Sequence, residues 1–284
     1  MKYYDRAHKK MIEEKEFRQG ALEFLYHTKF GRVLLKAFVS RPIFSKICSL
    51  YHKSIFSKRN IVPFVKKYNI KVDSKELKKY RSFNEFFTRR HPSIKHKDKK
   101  ELVAVAYGKL SCYPVSDDLL LHIKNSTYSI DDLVQNKKIA SFFKGGTCLV
   151  LRLAVTDNHR YHFIDDGKTA FHKKIKGKLH TIRPIAEKYG AFVQNSREVT
   201  LLNTKNFGYV AQVEVGALLV GKIKNHKKPV FKKNEEKGYF EFGGSTIVVL
   251  LNKDVKIDDD ILQMNADGIE VQVTAGEKIG VLSV

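Results

Sequence analysis

The chain of 284 residues carries 53 Lys and Arg against 30 Asp and Glu, for a net charge of +23, and 43% of its residues are hydrophobic. This length is enough for one large domain or two modest ones around a substantial core. The three cysteines are scattered and form no CxxC pair, which argues against a disulfide framework or a zinc site. No apolar run approaches ~18 residues and none marks the N-terminus, so we expect neither a spanning helix nor a secretory signal.

The positive charge is concentrated at the start of the chain. Residues 1–100 hold 27 Lys and Arg against 9 Asp and Glu, whereas the remaining residues hold 26 against 21. Such a surface usually meets anionic lipid or nucleic acid, and a solvated basic face without a partner is the plainer alternative. No RNA-binding signature, zinc knuckle or Gly-rich phosphate loop accompanies the charge, so lipid is the stronger hypothesis.

Residues 5–70 have the pattern of amphipathic helices. Apolar residues recur with helical spacing over 21–39 and again over 43–56, and lysines and arginines fall between them. Such helices either pack on their own domain or lie in a lipid interface, and the basic excess favours the second. The charged stretch 89–100, which includes Pro92, predicts an exposed linker.

Beyond the linker the sequence predicts mainly strands, separated by Gly, Asn and Asp turn signals. The strand-like runs are residues 102–106, 119–123, 147–155, 209–215, 217–220, 246–251 and 269–273. We therefore predict an α+β protein. It has a helical, basic, membrane-associating region over 1–95 and a β-rich domain of barrel or sandwich type over 96–284.

A hydroxyl nucleophile stands at the entrance to one predicted strand. The sequence Gly243-Gly244-Ser245-Thr246 feeds the apolar run 247–251. The carbonyl next to Ser245 belongs to Gly244, which has no side chain to hinder an attack and tolerates strained dihedrals. This arrangement suits a chain that cuts its own Gly244–Ser245 bond, and a glycine turn entering a core strand is the plainer interpretation.

Two histidines, His159 and His162, follow the predicted strand 147–155. If that strand continues, they face opposite sides. If the chain turns after Asp157, both can face one pocket. Histidines three residues apart can bind a metal, but no third ligand with fitting spacing is evident, so a structural histidine is the plainer role for either one.

Six segments resemble, in order, motifs of the phosphatidylserine decarboxylase family, whose members depend on a pyruvoyl group. The resemblance covers essentially the whole chain. The segments are residues 81–89 (RSFNEFFTR), 157–163 (DNHRYHF), 177–184 (GKLHTIRP), 195–199 with 213–221 (VEVGALLVG), 243–246 (GGST) and 271–280 (VQVTAGEKIG).

The resemblance implies a self-cleaving proenzyme. Ser245 would attack the carbonyl of Gly244 with the help of a histidine base, leaving a β chain of residues 1–244 and an α chain of residues 245–284. The α chain would begin with a pyruvoyl group made from Ser245, which converts phosphatidylserine to phosphatidylethanolamine without a metal. The resemblance gives His162 to the self-cleavage triad and makes His159 a substrate contact or proton donor.

One position departs from the family. The third member of the triad is an aspartate in a segment SPxDG, and here the matching stretch, residues 103–109 (VAVAYGK), has Tyr107. A neutral phenol offers no charge to match an imidazolium, so we expect slow maturation. The alternative is an uncleaved, non-catalytic lipid-binding homologue. Asp157 or the pair Asp117 and Asp118 are other candidates for the carboxylate, and a core aromatic is the plainer role for Tyr107.

The partners expected from the resemblance and the charge are phosphatidylserine and an anionic membrane surface, with the protein peripheral to the cytoplasmic face. The β and α chains of one proenzyme are expected to stay together. A homodimer is left open, and nucleic acid is not expected.

Overall fold

The computed structural model of the chain describes residues 2–14, 19–70, 72–90, 100–123, 126–181, 184–218, 222–243, 245–252 and 255–283. Helices occupy much of the range 19–87, and strands dominate from residue 101 onward. The predicted α+β class is therefore confirmed.

The chain begins with a β-hairpin rather than a helix. Strand β1 (Lys2–Asp5) pairs with β2 (Lys10–Glu13) and, on its other side, runs parallel to the late strand Glu270–Val273. The helical prediction for residues 5–70 is therefore wrong over residues 5–13. The partner of this hairpin lies at the far end of the chain, where a local pattern cannot reveal it.

The helical region consists of short segments with recognisable starts. Pro42 occupies the first turn of one helix, where its missing N–H costs nothing. Ser82 caps another by accepting a hydrogen bond from the N–H of Glu85. The segments are α1 (Gln19–His27), α2 (Lys29–Leu34), a π-helical stretch (Leu35–Val39), α3 (Pro42–Lys53), a 3-10 helix (Ile55–Asn60), α4 (Ile61–Tyr68), α5 (Ser74–Lys79) and α6 (Phe83–Phe87).

Residues 89–100 were predicted to form an exposed linker, but Arg89, the first of them, is buried. Arg89 is 8% exposed and packs over the ring of Phe86 at 4.8 Å. Residues 91–99 lie outside the described part of the chain.

The remaining elements follow in chain order. The helices are α7 (Ile130–Val134), α8 (Lys137–Ser141), α9 (Ala191–Gln194) and α10 (Asp259–Ala266), with a 3-10 helix over Pro184–Tyr189. The strands are β3 (Glu101–Val103), β4 (Gly108–Pro114), β5 (Leu120–Ile123), β6 (Ser126–Ser129), β7 (Thr147–Leu153), β8 (Arg160–His162), β9 (Gly167–Ile175), β10 (Arg197–Thr204), β11 (Tyr209–Gly216), β12 (Ile223–Asn225), β13 (Val230–Phe231), β14 (Glu236–Phe240), β15 (Ser245–Leu251), β16 (Val255–Ile257), β17 (Glu270–Val273) and β18 (Lys278–Leu282). The predicted strand 217–220 does not form at Ala217 and Leu218, and residues 219–220 are outside the described ranges.

The large sheet has ten strands in the order β13-β9-β10-β11-β15-β7-β4-β17-β1-β2. Its described strands end in two edges and do not close into the barrel that was one of the two expected architectures. Three small sheets, β12-β14-β8, β16-β18-β3 and β5-β6, accompany it. Apolar side chains of alternating residues form one core on each face of the large sheet.

Strand β15 occupies the middle of this sheet. It pairs antiparallel with β11 on one side and β7 on the other, and all seven of its residues are buried. Its run of Ile, Val and Leu residues is the composition expected of a strand covered on both faces. The first residue of this central strand is therefore held in a fixed place.

Candidate active site

Ser245 is the first residue of β15 and is fully buried. Its backbone lies opposite Gly216 of β11 and Leu153 of β7. The Oγ atom is shielded from solvent and has no hydrogen-bond partner in the described part of the chain. Buried hydroxyls normally have partners, so this one is available for reaction, and the Oγ1 atom of Thr246 beside it is likewise without a partner among the described residues. Gly244, which supplies the carbonyl of the predicted cleavage site, lies outside the described residues.

Phe242, three residues before Ser245, is held by the helical region. Its N–H donates to Oδ1 of Asn84 at 3.1 Å. Its ring packs against His52 of α3 at 4.0 Å and against Phe87 of α6 at 5.1 Å between centroids. Two helices therefore fix the segment that leads into the predicted cleavage site.

The neighbouring residues Glu241 and Gly243 are also constrained. The buried carboxylate of Glu241 accepts a hydrogen bond from Ser49 at 3.2 Å and pairs with Lys53 at 2.9 Å, both on α3. Gly243 has a φ of 138°, a conformation that side-chain-bearing residues rarely adopt. The glycine is thus required by the backbone at this point.

His159 lies beside this segment. Its Nδ1 is 2.9 Å from the carbonyl oxygen of Asp157, and its ring packs on Phe87 with centroids 4.0 Å apart. Burial lowers the pKa of His159 to about 3, and the backbone of Gly243 is close enough to the ring to act weakly in the opposite direction. Its Nε2 is buried, and among the described residues no atom forms a hydrogen bond of good geometry with it. His159 is therefore neutral.

Asp157 is a buried carboxylate held by three donors. Lys109 Nζ is 2.8 Å from each of its oxygens, and the N–H of Ala154 donates to Oδ2 at 2.8 Å. Burial raises the pKa of Asp157, and the Lys109 ammonium counteracts that rise. The sequence analysis did not single out Lys109. The indication in the sequence was that Lys109 is the one charged residue of the strand β4.

His162 ends β8 and is anchored through its backbone, whose N–H donates to the carbonyl of Val105 at 2.8 Å. Burial lowers the pKa of His162, and its Nδ1 has no partner among the described residues. No hydrogen bond joins His162 to Ser245 in that part of the chain. The described residues lining the 520 Å³ pocket at His162 do not include Ser245; they are Arg90, Tyr107, Asn158, Arg160, His162, His226, Lys228, Asn234, Glu236, Thr274 and Ala275.

Tyr107 reaches the same pocket because Ala106 forms an antiparallel bridge with Tyr161 of β8. The phenol is half-buried. Burial raises its pKa to about 12, and the charge of Asp157 is the next cause, followed by Tyr3 and Asp5 of the N-terminal hairpin. Tyr107 is therefore a neutral phenol beside the histidine segment.

Asp117 and Asp118 lie at the opposite end of the sheet from Ser245. They follow β4, whose last residue Pro114 pairs with Thr147, whereas Ser245 pairs with Leu153 at the other end of β7. Six residues of strand correspond to about 20 Å. At this distance the pair cannot contact Ser245, which leaves Asp157 of the candidate carboxylates named from the sequence.

A second pocket, of about 660 Å³, lies between α3 and the large sheet. Gly216, the residue opposite Ser245, forms part of its wall, as does Glu241. Sequence reasoning missed this pocket, because its cations come from separate elements: Lys46, Lys53, Lys174, Lys176 and Lys222. The apolar side chains Ile43, Ile47 and Leu50 of α3 complete the lining.

The helical region exposes many large apolar side chains between residues 30 and 56. Each of the following is at least 62% exposed: Phe30, Val33, Phe38, Ile43, Ile47, Leu50, Ile55 and Phe56. A cluster of this kind on one region marks an interaction surface. No helix in the described part of the chain is long and apolar enough to cross a bilayer.

Metal and thiol chemistry have little support here. Among the described residues, no three His, Cys, Asp or Glu side chains come together in a way that could hold a metal ion. Burial raises the pKa of the Cys112 thiol to about 12 and also raises that of Cys148. A protonated thiol is a poor nucleophile, so the hydroxyl of Ser245 remains the stronger candidate.

The fold and site define an α+β protein whose central strand begins with a buried serine, and a neutral histidine lies beside the segment that leads into this strand. Residues 83–281 match the sequence model of the phosphatidylserine decarboxylase family. The chain is 48% identical to phosphatidylserine decarboxylase proenzyme 2 of Clostridium acetobutylicum, over 98% of this chain and 97% of that protein. It is 40% identical to the proenzyme of Ruminiclostridium cellulolyticum over 98% and 96%, and 37% identical to that of Clostridium kluyveri over 99% of each. The chain belongs to the phosphatidylserine decarboxylase family.

Proposed function

We propose that this chain is the proenzyme of a phosphatidylserine decarboxylase that cleaves its own Gly244–Ser245 bond and turns Ser245 into a pyruvoyl group. The observation that supports it most is the buried Oγ of Ser245, left without a partner at the start of β15. A neutral histidine, His159, lies beside the same segment. The relatives' names supply the substrate class.

Self-cleavage begins when Oγ of Ser245 attacks the carbonyl carbon of Gly244 and a histidine takes the hydroxyl proton. The C–N bond breaks as that proton passes to the nitrogen of Ser245, and an ester replaces the peptide bond. Loss of the Cα proton of Ser245 then breaks its Cβ–Oγ bond, so residues 1–244 leave with a carboxylate. Water displaces ammonia from the former serine and leaves a keto group at the start of residues 245–284.

The pyruvoyl carbonyl, once formed, supplies an electron sink for the pair left when CO2 departs from the substrate. The chain's own residues bind the lipid, exclude water and return a proton. The seven buried residues of β15 and the aromatic packing of Phe242 keep bulk water from position 245. His159 and His162 are the proton-carrying side chains of this part of the molecule.

The 660 Å³ pocket fits the headgroup and upper chains of a phospholipid. Its wall at Gly216 lies opposite Ser245, so an occupant reaches the reacting residue from the side of α3. Lys176 and Lys222 present cations to a phosphodiester and a carboxylate, and Lys174 lies in the same wall in an ion pair with Glu198 at 2.6 Å. Ile43 and Ile47 offer apolar surface to the acyl chains.

The same helices support docking on an anionic membrane from the cytoplasmic side. The exposed apolar side chains of residues 30–56 alternate with Arg32, Lys36, Lys46 and Lys53. Basic amphipathic helices lie in the lipid interface when their apolar face can enter the headgroup region. Each nearby cation adds about 1 kcal/mol of attraction to an anionic leaflet. The pocket would then open toward the surface that holds its substrate.

Intact mass spectrometry of the freshly purified chain tests the proposal. We expect a fragment of residues 1–244 and one of residues 245–284 with Ser245 replaced by pyruvoyl, and release of CO2 from phosphatidylserine vesicles. Ser245→Ala should stay uncut. Thr246→Ala is the matched control, because the neighbouring hydroxyl is equally buried and without a partner, and it should still be cleaved. A cut that persists in Ser245→Ala would refute the mechanism.

The second candidate function is a non-catalytic lipid-binding homologue, which Tyr107 favours because the position lacks a carboxylate. It predicts one uncut chain near 32.7 kDa that binds phosphatidylserine vesicles without releasing CO2. The two candidates differ in the first mass spectrum.

A further inference from the structure

The N-terminal hairpin of β1 and β2 pairs with strand β17, which belongs to residues 245–284. In the large sheet β17 lies between β4 and β1, so the hairpin turns what would be an edge strand into an internal one. All four residues of β17 are buried. An edge strand leaves a row of backbone N–H and C=O groups unpaired. The first residues of the chain therefore complete the pairing of a strand near its end.

Arg6, in the turn of this hairpin, directs its whole guanidinium group at the same late part of the chain. Its Nε and Nη2 hold the two oxygens of Asp260 at 2.6 and 3.0 Å. Nη2 also donates to Asp258 at 2.8 Å. Nη1 donates to Glu277 at 3.2 Å and to the carbonyl of Lys278 at 2.6 Å. The five N–H donors thus have five acceptors, and every acceptor comes from the predicted α chain.

A second contact lies at the other end of the hairpin. Glu14, which follows β2, pairs with Nη2 of Arg152 at 2.9 Å. The same buried guanidinium holds Glu270 of β17 at 2.6 Å. Arginine–carboxylate hydrogen bonds of this kind are charge-assisted and stronger than those between neutral groups. Both ends of the hairpin are therefore tied to the predicted α chain by charge.

Glu277 extends the contact of Arg6 to the pocket at His162. One oxygen of Glu277 accepts from Arg6, and the other accepts the N–H of Thr274 at 2.8 Å. Thr274 lines the 520 Å³ pocket together with His162. The hairpin thus also holds the turn of the α chain that forms one wall of this pocket.

Resting on the proposed function, we propose that the hairpin of residues 2–14 is a clasp that retains the α chain after self-cleavage, with Arg6 as its central contact. Before cleavage, a segment that opens stays tethered and closes again at a high effective concentration. After cleavage only non-covalent contacts retain the fragment, and a fragment that detaches is diluted. Strand β15, in the middle of the sheet, holds the start of the fragment, and the clasp holds its later part.

The test measures how long the cleaved protein keeps its α chain in moderate urea, by ultrafiltration and mass spectrometry of the released fragment. We expect Arg6→Met to release it about tenfold faster than the wild type, because charged hydrogen bonds are lost. Arg6→Lys, which keeps the charge but not the planar fork, should fall between the two. Lys10→Met is the matched control. It removes one cation from an exposed position of the same hairpin and should release the fragment at the wild-type rate.

Hydrogen exchange in the uncut Ser245→Ala chain tests the same contact without cleavage. Arg6→Met should speed the exchange of the β17 amides and leave that of the β15 amides unchanged, with thermal unfolding as a measure of folding. If Arg6→Met does not fold, Asp260→Asn takes its place, since it removes one carboxylate of the cluster at a side chain that is 45% exposed. Its matched control is Asp259→Asn, at the exposed neighbouring position.

Fragment release from Arg6→Met at the wild-type rate overturns the inference, and so does equally fast release from Lys10→Met. Exchange of the β17 amides that does not change in Arg6→Met overturns it as well. A wild-type chain that is never cut contradicts the proposed function instead. Hydrogen exchange then still decides whether the hairpin holds this segment, so the two failures are distinguishable.

Discussion

The helices over residues 19–87 and the large sheet differ in how far their apolar side chains are exposed to solvent. Phe30 and Phe56 of the helical region are 70% and 71% exposed, whereas every residue of β15 is buried. Among the described residues from 101 onward, the exposed large apolar side chains are fewer and less exposed, at 37–58%. The apolar side chains of the sheet are buried in the cores on its two faces. The apolar side chains of the helices stay exposed among the described residues, and the proposal places them against a membrane.

The sharpest way to break this comparison is a matched isoleucine substitution in each region. Ile247→Ala opens a cavity in the core beside β15, where Ile247 is fully buried, and should lower the free energy of unfolding by about 2–5 kcal/mol. Ile47→Ala, at a position that is 62% exposed, should change it by less than about 0.5 kcal/mol. Urea unfolding in a Ser245→Ala background keeps a single chain and a two-state transition. Equal losses at the two sites would remove the distinction between the regions.

The burial of His159, which packs on Phe87 where the two regions meet, can be tested through the pH dependence of the free energy of unfolding. The pKa of His159 is about 3 in the folded chain against 6.5 in the unfolded chain, so only the unfolded chain binds this proton at pH 5. The contribution of His159 to the free energy of unfolding is fully present above about pH 6.5. It decreases by about 1.4 kcal/mol per pH unit as the pH drops toward 3.

Between pH 6.5 and 5.0 the difference should reach about 2 kcal/mol. It is measured by urea unfolding as the loss in the Ser245→Ala chain minus the loss in the same chain carrying His159→Gln. Parallel losses in the two chains would mean that His159 is not buried as described.

The sequence predicted four of the ten strands in the large sheet, namely β7, β11, β15 and β17, and did not predict how they assemble. Runs such as 246–251 and 209–215 are apolar and β-branched throughout, so each strand was evident from its own residues. The hairpin of β1 and β2 was not, because its partner β17 lies more than 260 residues later. The long strands β4, β9 and β10 were also missed, because polar or charged residues interrupt their apolar pattern. The strands β8 and β12 are only three residues long.

The candidate site was predictable where it follows a motif. Ser245, His159, His162 and Tyr107 were all named from the sequence, and no observation here tests their catalytic roles. The position of the Asp117–Asp118 pair was not predictable. The sequence already places Asp157 two residues before His159, but only the strand register shows that the pair lies at the far end of β7.

Tyr107→Asp tests whether the site can also use a carboxylate at the family position. The substitution places a negative charge in the pocket of His162, close to the segment of Asp157 and Lys109. We expect cleavage to become faster by about tenfold, because a carboxylate stabilises the protonated histidine that forms. Tyr107→Phe is the control, since it removes the hydroxyl without adding charge, and it should leave the rate unchanged. An unchanged rate in Tyr107→Asp would mean that position 107 does not face the base.

The smallest expected effect concerns the membrane side of the comparison and again uses the isoleucine pair. Ile47→Ala removes apolar surface that would enter the lipid interface, at a cost of about 1 kcal/mol, or roughly fivefold in vesicle affinity. Ile247→Ala, if folded at the assay temperature, should bind vesicles as the parent does. Co-sedimentation with phosphatidylserine vesicles measures both in the uncut Ser245→Ala background, and phosphatidylcholine vesicles report the contribution of charge. A larger loss of binding in Ile247→Ala than in Ile47→Ala would show that the exposed helical face is not what meets the membrane.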